Sequence, residues 1–348
     1  MASDLRLSVL DQSPISEGST GVQALANTLD LARLADDLGY HRYWVAEHHG
    51  GPMLAGPAPE VLIGPIASAT SGIRVGSGGV MLPHYSPLKV AEAFSVLAGL
   101  FPGRVDLGLG RAAGTDPMTT FALQRDRRQA GPDDFPQQLA ELLGYLEDDL
   151  PEGFPFAHLA RFMPGLPERP APWLLGSSPQ SAIWAGELGL PYAFADFISP
   201  LGAAHAQLYR ERFAPGVRLA APRTVVAVWA ICAETTEEAQ RLAASSRMSF
   251  TLLRRGQLIP VPPVEKALRF LEADGQPAEG HSAGRRAVIG DPGGVRLGIE
   301  AVADEYGAEE VIVVTITYDH AARRRSYELI AEAFGLQPRA AAHGALAA

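Results

Sequence analysis

The sequence has one cysteine, Cys232, which excludes an internal disulfide bond and a zinc site made of four cysteines. It also lacks long apolar runs, since no stretch approaches the roughly eighteen residues that make a candidate membrane helix. The first residues, MASDLRLSVLDQSP, lack the basic start and apolar core of a secretion signal. We therefore expect a cytoplasmic protein that does not bind a membrane.

Positive charge is scarce as well: 29 lysines and arginines stand against 39 aspartates and glutamates, and the net charge is −10. A field of this sign repels phosphate backbones, so the composition argues against a nucleic-acid partner. A ligand with a phosphate group would need a local site that offsets the field. With 348 residues, 47% of them hydrophobic, the chain can bury a large core.

The sequence contains a regular alternation of strand-like and helix-like segments. Each predicted strand is followed by a helical pattern, and the eight strands cover residues 5–11, 41–46, 73–82, 104–110, 172–177, 190–195, 223–233 and 309–317. The helix predicted over 59–72 is interrupted at Pro65. No GxGxxG turn follows the first strand, which disfavours an open dinucleotide-binding sheet. The pattern predicts an α/β fold, a closed (β/α)₈ TIM barrel.

Two long stretches interrupt the alternation. Residues 112–170 carry one predicted helix, at 134–148, and residues 253–292 are predicted as irregular. Stretches of this length are uncommon as simple connections, so we interpret both as insertions at the C-terminal face of the barrel. We predict a single barrel domain over residues 1–337 and a disordered tail over residues 338–348.

Barrels of this type place their reactive residues where the strands end at the C-terminal face. The first strand ends at Asp11, Gln12 and Ser13, which we predict to line the substrate pocket. The third strand contains Gly78 and Gly79. Glycines inside a strand indicate either tight packing or the close approach of another group, such as a flat ring, and the sequence leaves both open.

The second strand ends in the sequence AEHH, with Glu47, His48 and His49. A metal site, a catalytic pocket and a hydrogen-bonded corner are three possible interpretations. Zinc proteases use HExxH, in which the two histidines share one face of a helix, whereas adjacent residues at a strand end point to opposite sides. A metal site is therefore disfavoured. We favour a pocket in which one imidazole faces the barrel mouth, while its neighbour and Glu47 form internal hydrogen bonds.

Residues after the fourth and fifth strands favour an anion site. Arg111 follows the fourth strand, and its planar donors suit a phosphate. Ser177, Ser178 and Ser181 lie at the start of the helix after the fifth strand, where backbone N–H groups and the helix dipole attract anions. The alternatives are an ion pair of Arg111 with a loop carboxylate and simple N-capping by Ser178. Together, these residues favour a phosphate site.

These motifs carry a resemblance to a known family. The stretches YWVAEHH, VGSGGVMLPHYSPLKVAEAFSVLAGLFPGRVDLGLGRAAGTD and WLLGSSPQSAIWAGELGLPYAFA resemble the bacterial luciferase-like family of flavin-dependent monooxygenases. The similarity is close over the first six strands. It is strongest to a subgroup of the family that has members in aromatic polyketide antibiotic pathways. Gly110 stands where luciferases carry a reactive cysteine, so light emission is not implied.

The resemblance implies that reduced FMN binds at the C-terminal mouth of the barrel. Its phosphate would be held by Arg111 and by the three serines named above. Its ring would lie at Gly78–Gly79, where family members carry a non-proline cis peptide bond. We assign Glu47 to the same cofactor-binding set and His48 to catalysis. With an unperturbed pKa of about 6.5, His48 could exchange protons near neutral pH.

The implied activity is that of a two-component monooxygenase. Dioxygen reacts with reduced FMN to give a flavin C4a-hydroperoxide, which oxygenates a small organic substrate, for example a polyketide. A separate flavin reductase would supply the reduced FMN, and family members are usually homodimers. Three alternatives remain open: a deazaflavin-dependent hydride-transfer oxidoreductase, a non-catalytic flavin-binding protein and a metal-dependent barrel hydrolase.

Overall fold

The computed structural model describes residues 5–111, 115–124, 134–198, 202–277, 279–280 and 286–339. Its strands are β1 (Arg6–Asp11), β2 (Arg42–Val45), β3 (Arg74–Met81), β4 (Val105–Gly110), β5 (Ala171–Gly176), β6 (Tyr192–Ala195), β7 (Thr224–Cys232), β8 (Ala287–Gly290) and β9 (Glu310–Val314). Its α-helices are α1 (Gly21–Asp37), α2 (Pro59–Ala69), α3 (Pro87–Leu100), α4 (Pro117–Leu123), α5 (Phe135–Glu147), α6 (Pro179–Glu187), α7 (Ala203–Arg212), α8 (Thr236–Arg254), α9 (Val264–Ala273), α10 (Pro292–Tyr306) and α11 (His320–Phe334).

Eight parallel strands, β1 to β7 and β9, close into a barrel, and this confirms the predicted fold. Neighbouring strands pair in chain order from β1 to β7, and β9 pairs with both β7 and β1. Pairing between β6 and β7 completes the ring. The eight strands predicted from the sequence correspond to these eight, with bounds that differ by a few residues.

The predicted irregular stretches contain more regular structure than expected. Residues 253–292 include helix α9 and strand β8, and residues 112–170 include α4 in addition to the predicted helix, which is α5. Strand β8 pairs with Trp229–Cys232 of β7, next to the part of β7 that pairs with β9. Its sequence, AVIG, stands between two arginines and the turn-forming residues DPGG, which hide so short a strand in the sequence. Parts of both stretches (112–114, 125–133, 278 and 281–285) and residues 340–348 of the predicted tail lie outside the described residues.

Helix α2 continues through Pro65, so the predicted interruption is wrong. Proline lacks the N–H that would bond the carbonyl of Val61, four residues earlier. Val61 is 65% exposed, so water can satisfy that carbonyl. The helix therefore tolerates the proline.

Charged residues close the N-terminal end of the barrel. The buried guanidinium of Arg42 donates to Asp106 Oδ2 at 2.6 Å and to Glu310 Oε1 at 2.5 Å, and it lies 4.5 Å from the ring centroid of Trp173. Burial alone would raise the pKa of Asp106, but Arg42 and Arg74 outweigh it and hold that pKa below its usual value. This buried charge network fills the N-terminal end of the barrel.

Candidate functional site

A cavity of about 290 Å³ lies at the C-terminal mouth of the barrel. Eight of the residues singled out from the sequence line it: Gln12, His48, Gly78, Gly79, Arg111, Ser177, Ser178 and Ser181. The rest of the wall is largely apolar and includes Leu10, Trp44, Leu174, Phe197 and Ile312. The structure thus brings together side chains from loops that are far apart in the sequence.

His48 faces this cavity. Its backbone N–H donates to the carbonyl of Gly56 at 3.0 Å, which fixes the main chain. Its ring Nδ1 is buried and has no hydrogen-bond partner within the described residues. Burial, with a smaller contribution from neighbouring His49, lowers the pKa of His48 to about 4. Burial thus moves the titration of His48 below the unperturbed value used in the sequence analysis, and the imidazole is neutral at pH 7.

Glu47 and His49 lie behind the cavity wall. Glu47 is fully buried; its Oε1 lies 2.7 Å from His49 Nε2, and its Oε2 accepts the backbone N–H of Met81 at 2.9 Å. The internal hydrogen bonds predicted for this pair are therefore present. Glu47 does not belong to the cavity lining in the described part of the chain, because its side chain points to the opposite side of the strand end from His48.

Gly78 and Gly79 serve packing and also border the cavity. A Cβ atom on Gly78 would lie 2.7 Å from Leu10 Cδ1, and one on Gly79 would lie 2.8 Å from the carbonyl oxygen of Gly108. The Gly78–Gly79 peptide bond is cis, at the position where the family resemblance implied one. The two interpretations left open by the sequence are compatible, because the packing that requires glycine also leaves a surface without side chains.

The first turn of α6 forms another part of the wall. Ser178 is the N-cap: its Oγ accepts the N–H of Ser181 at 3.3 Å, and Ser181 Oγ donates to the Ser178 carbonyl at 2.8 Å. The N-capping alternative is therefore confirmed, and both hydroxyls still border the cavity. Arg111 lies beside the same helix, with its Cζ 5.7 Å from the ring centroid of Trp184. A cation and a helix N-terminus thus border one cavity.

Of the three residues predicted to line the pocket at the end of the first strand, Gln12 alone lines this cavity in the described structure. Asp11 points outward and is buried; it accepts hydrogen bonds from Arg323 Nη2 at 2.7 Å and from the Tyr43 hydroxyl at 2.5 Å. Ser13 Oγ lies 2.8 Å from Thr28 Oγ1. The correction follows from strand geometry, because side chains alternate between the lumen and the helix layer.

Several cavity residues were missed by the sequence analysis. Met81 and Leu175 lie at inward positions of β3 and β5, and Trp184 lies one helical turn after Ser181. The i, i+3 spacing of Ser181 and Trp184 was a usable signal, since residues three apart share a helix face. Alternation divides each strand into two sets of positions, and only the closed barrel shows which set faces the lumen.

The described residues contain no group of three histidine, cysteine, aspartate or glutamate side chains arranged to hold a metal ion. None of their helices has the length and apolar character needed to cross a bilayer.

Residues 5–310 match the sequence profile of the luciferase-like monooxygenase family. The chain therefore belongs to that family, and the closed barrel is the fold expected for it. A luciferase-like monooxygenase of Escherichia coli (strain K12) is 41% identical over 331 residues, which are 93% of this chain and 96% of that protein. The N-acetyl-S-alkylcysteine monooxygenase of Bacillus subtilis (strain 168) is 37% identical over 331 residues, 94% of this chain and 98% of that protein.

A solved structure supports the same assignment. The crystal structure of apo-MsnO8 superposes on this protein with a TM-score of 0.87 and 44% sequence identity. The match covers 96% of this chain and 99% of that one. The shared architecture therefore extends beyond the barrel strands to nearly the whole chain.

Proposed function

We propose that this protein is the oxygenating component of a two-component monooxygenase that binds reduced FMN in the cavity and oxygenates a small organic substrate with dioxygen. The observation that carries the proposal is that one cavity combines a surface without side chains at Gly78–Gly79, an arginine beside a helix N-terminus, and the unpartnered Nδ1 of His48. When bound, reduced FMN supplies the activation of dioxygen.

Arg111 and the start of α6 would hold the phosphate of FMN. The guanidinium supplies charge-assisted hydrogen bonds, and the positive end of the helix dipole adds a favourable field. Ser177 and Ser178 border the cavity at this point and add hydroxyl donors. These groups provide the local attraction that a protein of net charge −10 needs in order to bind a phosphate.

The apolar walls would hold the ring and exclude water. Gly78 and Gly79 let a planar ring approach the backbone, while Trp44, Leu174 and Phe197 supply apolar contact. Displacing water from such a site strengthens its polar interactions and limits unproductive release of hydrogen peroxide. These residues therefore bear on how efficiently oxygen reaches the substrate.

His48 would act at Nδ1. In a neutral imidazole one ring nitrogen donates a hydrogen bond and the other accepts one. Because the pKa of His48 is lowered to about 4, the ring enters the reaction neutral at pH 7. It can then take up a proton from the reacting group, or hold that group by a hydrogen bond, as a general base does.

The proposal includes two protein partners. A separate flavin reductase would supply reduced FMN, since the sequence has no GxGxxG turn after its first strand. A second copy of the chain would pack on α2 and α3, whose outer surfaces expose Val61, Val96 and Leu100. Light scattering coupled to size-exclusion chromatography would test the dimer: a monomer at micromolar concentration would contradict it.

The proposed activity is tested by oxygen consumption in the presence of FMN, NADH and a flavin reductase. We expect product from some members of a panel that includes thioethers, chosen because a relative is named as acting on N-acetyl-S-alkylcysteine, and polyketides. Without the reductase, the protein should oxidise NADH negligibly. Reduction of a deazaflavin by a candidate alcohol, with no oxygen consumed with reduced FMN, would show the hydride-transfer alternative instead.

A further inference from the structure

We propose that Glu47 is a positioning residue, which fixes the His48 imidazole relative to the Gly78–Gly79 surface of the cavity. The importance of that geometry for oxygenation rests on the proposed function, whereas the geometry itself does not depend on it. The proposal starts from the position of Glu47. This residue is fully buried, and its two carboxylate oxygens form hydrogen bonds with two different segments that border the cavity.

The two oxygens connect two strand ends. Oε1 is bonded to His49, in the loop that follows β2, at 2.7 Å. Oε2 accepts the backbone N–H of Met81 at 2.9 Å. Met81 is the last residue of β3, two residues after Gly79, and it lines the cavity itself. One side chain thus joins the loop that carries His48 to the strand that carries the two glycines.

Alternation along the chain makes this connection specific for His48. Glu47 and His49 are two residues apart and point to the same side, so their side chains can bond each other, whereas His48 between them points into the cavity. The backbone N–H of His48 is held by the carbonyl of Gly56. A backbone rotation that turned His48 away from the cavity would therefore also move Glu47 and His49 and disturb the hydrogen bond between them.

Two further groups lie next to the Glu47–His49 pair. Burial and the nearby negative charge of Glu47 raise the pKa of Tyr85. The hydroxyl of Thr115 donates to the carbonyl of His49 at 2.8 Å, from the segment after β4. Hydrogen bonds in a region of low dielectric are strong and directional, and a buried carboxylate with several donors is a rigid junction.

The test compares Glu47→Ala and Glu47→Gln with Asp30→Asn. Asp30 is a matched control because its Oδ2 lies 2.8 Å from His320 Nε2, a carboxylate–imidazole pair that does not line the cavity. The first readout is the NMR spectrum of ¹⁵N-histidine-labelled, ligand-free protein, with His48 and His49 signals assigned from His48→Asn and His49→Asn. We expect Glu47→Ala to shift and broaden the signals of both imidazoles, and Asp30→Asn to change that of His320 alone.

The second readout uses reduced FMN and a turned-over substrate. Glu47→Ala should leave FMN affinity within about threefold and should lower the ratio of product to hydrogen peroxide by about 10–100-fold, because a displacement of about 1 Å can cost up to about 10²-fold. Glu47→Gln should have the smaller effect, since its amide oxygen can still accept the Met81 N–H. If Glu47→Ala does not fold, Glu47→Gln carries the test, with altered signals from both imidazoles expected.

Unchanged His48 signals in the folded Glu47 variants, alongside altered His49 signals, would overturn the proposal and reduce Glu47 to a local partner of His49. The spectra separate this outcome from failure of the proposed function. If they show the coupling but the wild-type protein consumes no oxygen with reduced FMN, the positioning role stands and the monooxygenase proposal falls.

Discussion

Asp11 and Arg323 form a buried ion pair, with 2.7 Å between Oδ1 and Nη2 and side chains that are at most 2% exposed. The pair joins the end of β1 to α11, across almost the whole length of the chain. Burial alone would raise the pKa of Asp11, but the charge and hydrogen bonds of Arg323 outweigh it, and the pKa lies below its usual value. Asp11 therefore stabilises the barrel behind the cavity.

Removing one member of this pair should destabilise the fold strongly. We expect Asp11→Ala to lower the free energy of unfolding by about 3–5 kcal/mol, because Arg323 would be left as an unpaired buried charge. Urea unfolding at pH 7 measures the change. The exposed pair Glu17–Lys266, also 2.7 Å apart, gives the control Glu17→Gln, for which we expect less than about 1 kcal/mol. Similar losses in the two variants would show that Asp11 and Arg323 are not a stabilising pair.

This ion pair could not be predicted from the sequence, although the fold around it could. The alternation of segments was sufficient to predict the barrel, and the HH pair at a strand end was sufficient to predict that the two imidazoles diverge. Whether a given side chain faces the lumen or the helix layer depends on the register in which the strands pair, and no local sequence pattern sets that register. The partner of Asp11 lies in a run of three arginines, and only the closed fold shows that Arg323 is the one that reaches it. Asp11 was therefore assigned to the wrong side of its strand.

Stability should rise with pH between about 4 and 6.5 because of two histidines. Burial lowers the folded-state pKa of both His41 and His48 to about 4, against 6.5 for an ordinary histidine. Between these values the unfolded state binds more protons, so lowering the pH favours unfolding, by up to about 1.4 kcal/mol per pH unit for each histidine. Urea unfolding from pH 4.5 to 7 should show this slope, and His41→Asn or His48→Asn should each reduce it. A slope that neither substitution alters would contradict the burial of these rings.

The glycine pair of β3 should not tolerate a side chain. In Gly79→Ala the new Cβ would lie 2.8 Å from the carbonyl oxygen of Gly108, which is backbone and cannot move aside easily. We expect a loss of about 1–3 kcal/mol in the free energy of unfolding, as for other overpacked sites. The control is Gly216→Ala, where a Cβ would meet nothing within 4 Å; its change should stay within about 0.5 kcal/mol. Equal stability of the two variants would contradict the close packing.

His48 should be required for product and dispensable for cofactor binding. We expect His48→Ala to bind reduced FMN with nearly unchanged affinity and to form product about 10²–10⁴-fold more slowly, the usual range for a positioned acid–base group. The oxygen consumed should be recovered as hydrogen peroxide. His49→Ala, with its imidazole outside the cavity, should lose more in thermal stability and less in the ratio of product to peroxide. A fully coupled His48→Ala variant would show that the wrong imidazole had been assigned to the reaction.

The central claim is that reduced FMN binds in the cavity with its phosphate held by Arg111 and the start of α6. Anaerobic calorimetric titration of reduced FMN and of reduced riboflavin, which lacks the phosphate, tests it most directly. We predict that wild type and the control Arg161→Ala, which changes an exposed arginine, bind FMN more tightly than riboflavin. Arg111→Ala should lose about 1.5–3 kcal/mol of that difference, the range for a charge-assisted hydrogen bond. Equal affinity of the wild-type protein for the two flavins would contradict the account.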